Sequence, residues 1–234
     1  MQPAQKILVS TKKKHSLFAG LATRDQLIVY VIGLIILGCG IDLNTKAALG
    51  VSPVISVAYN IAVILGAPIG PATFLYYLFL LLLQYVLLAG RLPKLQYLQI
   101  GASFLTSLAI QLFDFWLPAA GTVPGRIFEL AVAIVLTGIG ASITLGMRLV
   151  PNPADGLAKV IGDKAGRTAG FGKNLVDAVC VAVASLTGLL FRRSLLGIGI
   201  GTVIAAVFTG RVYHAMQPFV EWLYARVTER EKAL

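Results

Sequence analysis

The sequence predicts an all-α membrane protein. Six transmembrane helices form two inverted three-helix repeats, each with a short re-entrant or interfacial helix. Three observations lead there. Hydrophobic residues make up 57% of the 234-residue chain and charged residues 13%, against about 25% charge in a soluble domain. Residues 38–101 align without a gap on residues 138–201, with 12 identities in 64 positions, where roughly 5 are expected by chance for so biased a composition. The basic residues also fall unevenly across a six-span topology.

The repeat carries shape as well as composition. The recurring residues are Gly38, Gly40, Leu49, Pro53, Ala58, Ile61, Gly66, Gly70, Leu75, Leu95, Ile100 and Gly101. Half of them are Gly or Pro, which set backbone geometry rather than fill space. Three spans in each half is an odd number, so the second copy enters the bilayer inverted. Inverted repeats with a solute site near the midplane are a common transporter architecture.

Along the chain, a basic N-terminal tail over 1–26 is expected to be cytoplasmic. It lacks the apolar core and cleavage site of a signal peptide; a lipid-binding polybasic role is the alternative reading. The first membrane repeat covers 27–120, with spans at 27–47, 71–89 and 95–117. The second covers 121–222, with spans at 126–147, 170–190 and 195–222, and a cytoplasmic C-terminal tail occupies 223–234. Each span has about the ~20 residues needed to cross hydrocarbon. The intervening segments 51–65 and 151–165 are too short to cross comfortably. Both open with a turn signal, GVSP and VPNP, and both close at a matching glycine, Gly66 or Gly166. Pro53 and Pro153 suit the first turn of a helix, where no backbone donor is needed, and Ser52 and Asn152 suit the N-caps before them.

With the N-terminus inside, 16 of the 20 Lys and Arg residues face the cytoplasm, and only Lys46, Arg126, Arg192 and Arg193 face outward. That split places both termini in the cytoplasm of a multi-pass protein. It also explains the net charge of +10 without nucleic acid as a partner. Cys39 and Cys180 lie in apolar segments with no metal-ligand spacing and read as packed thiols. His15 and His214 are isolated. The sequence has no phosphate-binding loop, nucleophile motif or metal cluster, so neither an enzyme nor a cofactor is expected.

Residues 32–66, IGLIILGCGIDLNTKAALGVSPVISVAYNIAVILG, resemble the first half of the YczE/YyaS/YitT family of bacterial membrane proteins: a glycine-rich first helix, an Ala-Leu-Gly step and a Ser-Pro. Residues 151–184 resemble its second half, with Asp155 before Gly156-Leu157, the Gly172-Lys173 stretch and Asp177 in the fifth span. Residues 197–210 resemble its closing Gly-Thr-x-x-x-Ala segment. The likeness covers about residues 27–215. It implies a small bacterial inner-membrane protein of a family in which transport is the suspected activity. Three positions depart from the family pattern: Val54 for Trp or Ser, Asp155 for Glu, and Ile198-Gly199-Ile200 for an Arg-Glu pair.

The candidate substrate-binding residues are Ser52, Pro53, Ser56 and Asn60 on the first short helix and Asn152, Asp155 and Gly156 on the second. Helix N-termini attract anionic groups, whereas Asp155 suits a cation or proton; ordinary capping is the alternative. The candidate coupling residues are Asp177, Asp114 and Asp42. Asp177 is an ionisable group within a span, which usually faces a partner or a cavity; a structural pairing with Lys173, four residues earlier, competes with that role. Asp114 matches a family aspartate near Trp116, or faces interfacial water. Asp42 and Lys46 are spaced to pair at the end of the first helix. Gly33, Gly38, Gly40, Gly138 and Gly140 offer small surfaces for close packing between the repeats, with a homodimer contact as the alternative.

The expected function is secondary transport of a small polar or amphipathic solute, proton- or cation-coupled, by rocking of the two repeats in the bacterial inner membrane. A membrane scaffold or a lipid-handling protein are the alternatives. The expected partners are the solute and the bilayer.

Overall fold

The computed structural model describes residues 23–232, so all but the last four residues of the basic segment 1–26 lie outside the described residues. Within them all regular structure is helical: α1 (Arg24–Lys46), α2 (Pro53–Leu65), α3 (Ile69–Leu87), a 3-10 turn (Lys94–Leu98) leading into α4 (Gln99–Trp116), α5 (Val123–Gly146), α6 (Pro153–Lys164), α7 (Ala169–Arg192) and α8 (Ile200–Lys232). Five of these stretches are long and apolar enough to cross a membrane: α1, α3, the 94–116 stretch, α5 and α7. α8 begins later than the span expected from Leu195 and continues unbroken through the expected tail to Lys232. Arg211, His214 and the internal Pro218 interrupt its apolar run, which is why it falls outside the five.

The helix ends follow local chemistry. Thr23 caps α1 in a reciprocal box with Gln26, whose backbone N–H donates to the threonine hydroxyl (3.0 Å) while its side chain accepts from the Thr23 N–H (3.2 Å). Thr122 and Thr168 cap α5 and α7. Asn152 caps α6 by accepting from the Ala154 N–H at 2.9 Å. Ser52 differs from the sequence expectation: its side chain makes no cap bond. Its own N–H instead donates to Asn44 Oδ1 at 2.6 Å, which ties the start of α2 to the end of α1. Residues 100 positions apart share backbone geometry in these turns. Ala48 and Arg148 have φ of 52° and 54°, and Gly66 and Gly166 both have φ of 63°.

Packing follows the same correspondence. α1 and α5 form the most extensive helix pair. α1 also packs on α4 as α5 packs on α8, α2 on α3 as α6 on α7, and α2 on α7 as α6 on α3. Glycines set these approaches. A Cβ on Gly40 would lie 2.5 Å from the Thr137 backbone nitrogen of α5, and one on Gly140 would lie 2.7 Å from Leu37 Cα of α1. Gly33 meets Ile143 and Thr144 on α5. Gly38 faces Ala109 on α4, and Gly138 faces Val212 on α8. Small residues let helix backbones approach where lipid supplies no hydrophobic drive for association.

The outward faces carry large apolar side chains, among them Leu75, Phe79 and Leu82 on α3 and Val179, Val183 and Leu186 on α7. Such continuous apolar exposure fits a bilayer as solvent rather than water. The chain is a multi-pass helical membrane protein.

Candidate solute cavity

The two short helices bring their N-termini to one cavity of about 290 Å³, near the lower end of small-molecule sites. Ser52 and Pro53 border it from α2, and Asn152 and Asp155 from α6. The chain is pinned there by neighbouring segments. Val51 N–H donates to the Gly197 carbonyl and Gly201 N–H to the Leu49 carbonyl, each at 2.8 Å. These bonds close the Ile200 end of α8 over the start of α2. Asn152 donates from Nδ2 to the Tyr77 hydroxyl at 3.2 Å. The remaining walls are mostly apolar, including Leu37, Ile41, Val54, Ala141, Ala205 and Ala206.

One charged cluster faces this space. Lys173 Nζ lies 3.7 Å from Asp177 Oδ2 and 3.9 Å from Asp155 Oδ1. The helical i,i+4 spacing puts Lys173 and Asp177 on one face of α7, and the packing of α6 on α7 brings in Asp155. Both distances exceed hydrogen-bond range, so two carboxylates share one ammonium loosely. Asp177 Oδ1 is buried and has no hydrogen-bond partner.

Two corresponding helix pairs differ in packing. α3 packs on α4, whereas the corresponding pair α7 and α8 has no comparable packing. Three details account for the closed side. A Cβ on Gly70 would sit 2.6 Å from Gln111 Cβ and 2.7 Å from the Ser107 carbonyl on α4. Phe74 and Phe104 stack edge to face at 5.8 Å. Gln84 and Gln99 hydrogen-bond each other at 3.1 and 3.3 Å, and Gln84 also donates to the Pro153 carbonyl at 3.0 Å. The residues 100 positions later are Gly170, Asn174 with Ile204, and Ala184 with Gly199. None of them can make the aromatic or amide contact, and Gly170 has only Thr168 Oγ1 near it, at 3.7 Å.

Of the residues expected at the site from sequence, Ser52, Pro53, Asn152, Asp155 and Asp177 line the cavity. Ser56 and Asn60 do not. They point into the α2–α7 contact, where the Ser56 hydroxyl bonds the Pro53 carbonyl at 2.6 Å and Asn60 Nδ2 bonds the Ala184 carbonyl at 2.5 Å. Gly156 packs against the Gln84–Gln99 pair. Asp114 lies elsewhere, bound to Lys46 Nζ through its carboxylate (3.1 Å) and its carbonyl (2.9 Å). This pairing replaces the expected Asp42–Lys46 bridge: a partner on the facing α4 is within better reach than the one on the same helix. Asp42 itself is fully buried, and neither oxygen has a partner.

Sequence reasoning passed over Tyr77, Tyr213, His214 and Thr209, which also line the cavity. The repeat held a signal for the first of these, since Tyr77 stands 100 positions before Asp177. The others lie on α8, whose facing side is fixed by its packing on α5 and α1. Among the described residues, no group of three or more His, Cys, Asp or Glu residues is placed to hold a metal ion.

Comparison with known proteins places the chain. Residues 24–218 match the model of a family of unknown function, DUF6198, and the chain belongs to that family. It is 28% identical over 195 residues to the uncharacterized protein YyaS of Bacillus subtilis (strain 168), covering 82% of this chain and 92% of the relative. It is 29% identical over 215 residues to the uncharacterized membrane protein YczE of the same organism, covering 87% of this chain and 93% of the relative. The family resemblance carried by the Ser-Pro, Asp-Gly-Leu and Gly-Thr motifs is thus the correct one. No solved structure matches the chain.

Proposed function

We propose that the protein is a secondary transporter of a small polar or amphipathic solute, coupled to a proton or cation. It works by alternating access of two inverted repeats, each of three spans and one short helix. α8 is the sixth span, with His214 turned to the cavity and Arg211 lying over the Phe208 ring at 5.0 Å. Both termini are in the cytoplasm and the membrane is the bacterial inner one. This orientation follows from the distribution of Lys and Arg.

The observation that carries the reading is the broken symmetry around the cavity at the two short helices. Two helix pairs related by the 100-residue offset stand in two arrangements, α3–α4 packed and α7–α8 apart. A rocking mechanism requires two such arrangements, exchanged between halves. In the exchanged state Gly170 meets Arg211 of α8, as Gly70 now meets Gln111 of α4. Asp177 is the coupling carboxylate, because it lines the cavity and one of its oxygens is buried without a partner.

The test is counterflow in proteoliposomes combined with a cross-link. In a variant with Cys39 and Cys180 replaced, Gly170→Cys and Arg211→Cys are introduced together. Oxidation is expected to join them in a solute-dependent way and to abolish flux, with recovery on reduction. A pair that never joins, in protein that carries no solute of a broad panel, overturns the reading. Labelling of Ala119→Cys from outside, and of Lys94→Cys only after permeabilisation, checks the orientation.

A further inference from the structure

The cavity's chemistry narrows its ligand. Asp155, Asp177 and Lys173 give it a formal charge of −1, with His214 counted neutral. The lysine satisfies neither carboxylate: both ion-pair distances, 3.7 and 3.9 Å, lie beyond hydrogen-bond length. Asp177 Oδ1 is buried without a donor, although water would normally satisfy it. A small cation bearing several N–H groups supplies what is missing, through short charge-assisted bonds.

The α6 N-terminus does not compete for an anion as a bare N-terminus would, whereas α2 has no side-chain cap. Pro153 has no N–H, and the Ala154 N–H is held by Asn152 Oδ1 at 2.9 Å. The Ser52 N–H is held by Asn44 at 2.6 Å. Asp155 in the first turn of α6 further occupies the positive end of that helix.

Much of the rest of the cavity is hydrocarbon surface: Leu37 and Ile41 from α1, Leu145 from α5, Ala205 and Ala206 from α8. α7 and α8 both contribute to the lining without packing on each other, and their outer faces carry Val179, Val183, Val203 and Val207. Tyr77 and Tyr213 also line the cavity.

We propose that this cavity binds a small amphiphile with one cationic amine. Its ammonium sits between Asp155 and Asp177, and its apolar body lies against Leu37, Ile41, Ala205 and Ala206. Entry is from the bilayer side, between α7 and α8. Lys173 occupies the ammonium position in the empty site and swings aside when the ligand arrives. The proposal rests on the cavity assigned above as the solute site, and names the class of that solute.

The experiment is calorimetric titration of the full chain in nanodiscs, with empty nanodiscs as reference. The probes are hexylammonium, hexanoate and hexanol. Hexylammonium is expected to bind saturably, with the other two weaker by about tenfold or more. Asp177→Asn is expected to weaken it roughly tenfold, and Ala206→Phe to block it by filling the apolar end. Lys173→Gln is expected to tighten it several-fold by removing the competing ammonium, an effect opposite to that of damaging a structural ion pair. Each variant is compared at unchanged melting temperature, with Asp155→Asn as a second carboxylate variant should Asp177→Asn fail to fold. Hexanoate binding as well as hexylammonium, or Lys173→Gln weakening the ammonium, overturns the proposal. Ammonium binding without counterflow keeps this proposal and overturns transport. Counterflow of an anionic solute without ammonium binding does the reverse.

Discussion

The two halves of the chain share a backbone plan and differ most at one helix pair. In the first half α3 lies on α4; in the second α7 stands away from α8 and leaves a cavity. The elements that match are those set by glycine, proline and turn geometry. The elements that differ are those set by side chains. Gln84–Gln99 and Phe74–Phe104 clamp the first pair, and no residue at the corresponding positions of the second can do so.

The strongest way to break the comparison is at the seam the halves share. Gly40→Ala and Gly140→Ala each drive a Cβ into facing backbone that cannot move aside. Both are expected to cost the upper part of ~1–3 kcal/mol, or more, in overpacking. Equal losses of melting temperature in the two variants are the signature of a symmetric seam, and a harmless Gly140→Ala alone breaks it.

The outer glycines sharpen the contrast. Gly70→Ala is expected to destabilise by about 1–3 kcal/mol, because α4 occupies the space a methyl needs. Gly170→Ala is expected to be neutral within about 0.5 kcal/mol, because no facing helix stands there. Thermal unfolding of the two proteins measures the difference. Flux that falls in a stable Gly170→Ala protein would place the glycine's role in the exchanged arrangement.

The amide clamp tests what holds the first half shut. Gln84→Leu strands Gln99 and the Pro153 carbonyl, both buried, at an expected cost of about 1–3 kcal/mol. Changing both glutamines to leucine is expected to recover part of that stability, because the unsatisfied pair partner is gone. A spin-label distance between α3 and α4 that is no longer or broader in Gln84→Leu denies the clamp its role.

The smallest effect belongs to the Lys46–Asp114 bridge. Asp114 is 37% exposed, so Asp114→Asn is expected to cost no more than ~1 kcal/mol, less at high salt. The repeat positions, Gly146 and His214, hold no such pair, so a large salt-dependent loss would make this bridge a second clamp on the first half.

Much of this was legible before any fold was known. The short helices at 53–65 and 153–164 followed from Pro at N1 and glycine at the far end, since both act through local backbone geometry. Asp177 was singled out because a carboxylate within an apolar helix needs a reason wherever it sits, and Asp155 because it stands in the first turn of the second short helix; both line the cavity. Ser56 and Asn60 were misassigned to the site because polarity on a short helix does not tell a cavity wall from a helix contact. Asp42 was given the wrong partner because i,i+4 spacing describes one helix, and Lys46 had a better acceptor on another.

By itself the sequence determined class, the two short helices and the few charged groups within apolar helices. Each of these rests on covalent geometry or on transfer between water and lipid, which act residue by residue. The tertiary structure alone decided which face of α8 meets the cavity, that one lysine serves two carboxylates, and that only one of two equivalent helix pairs is closed. Those outcomes depend on distances between segments far apart in sequence, and packing settles them only when all the helices are in place.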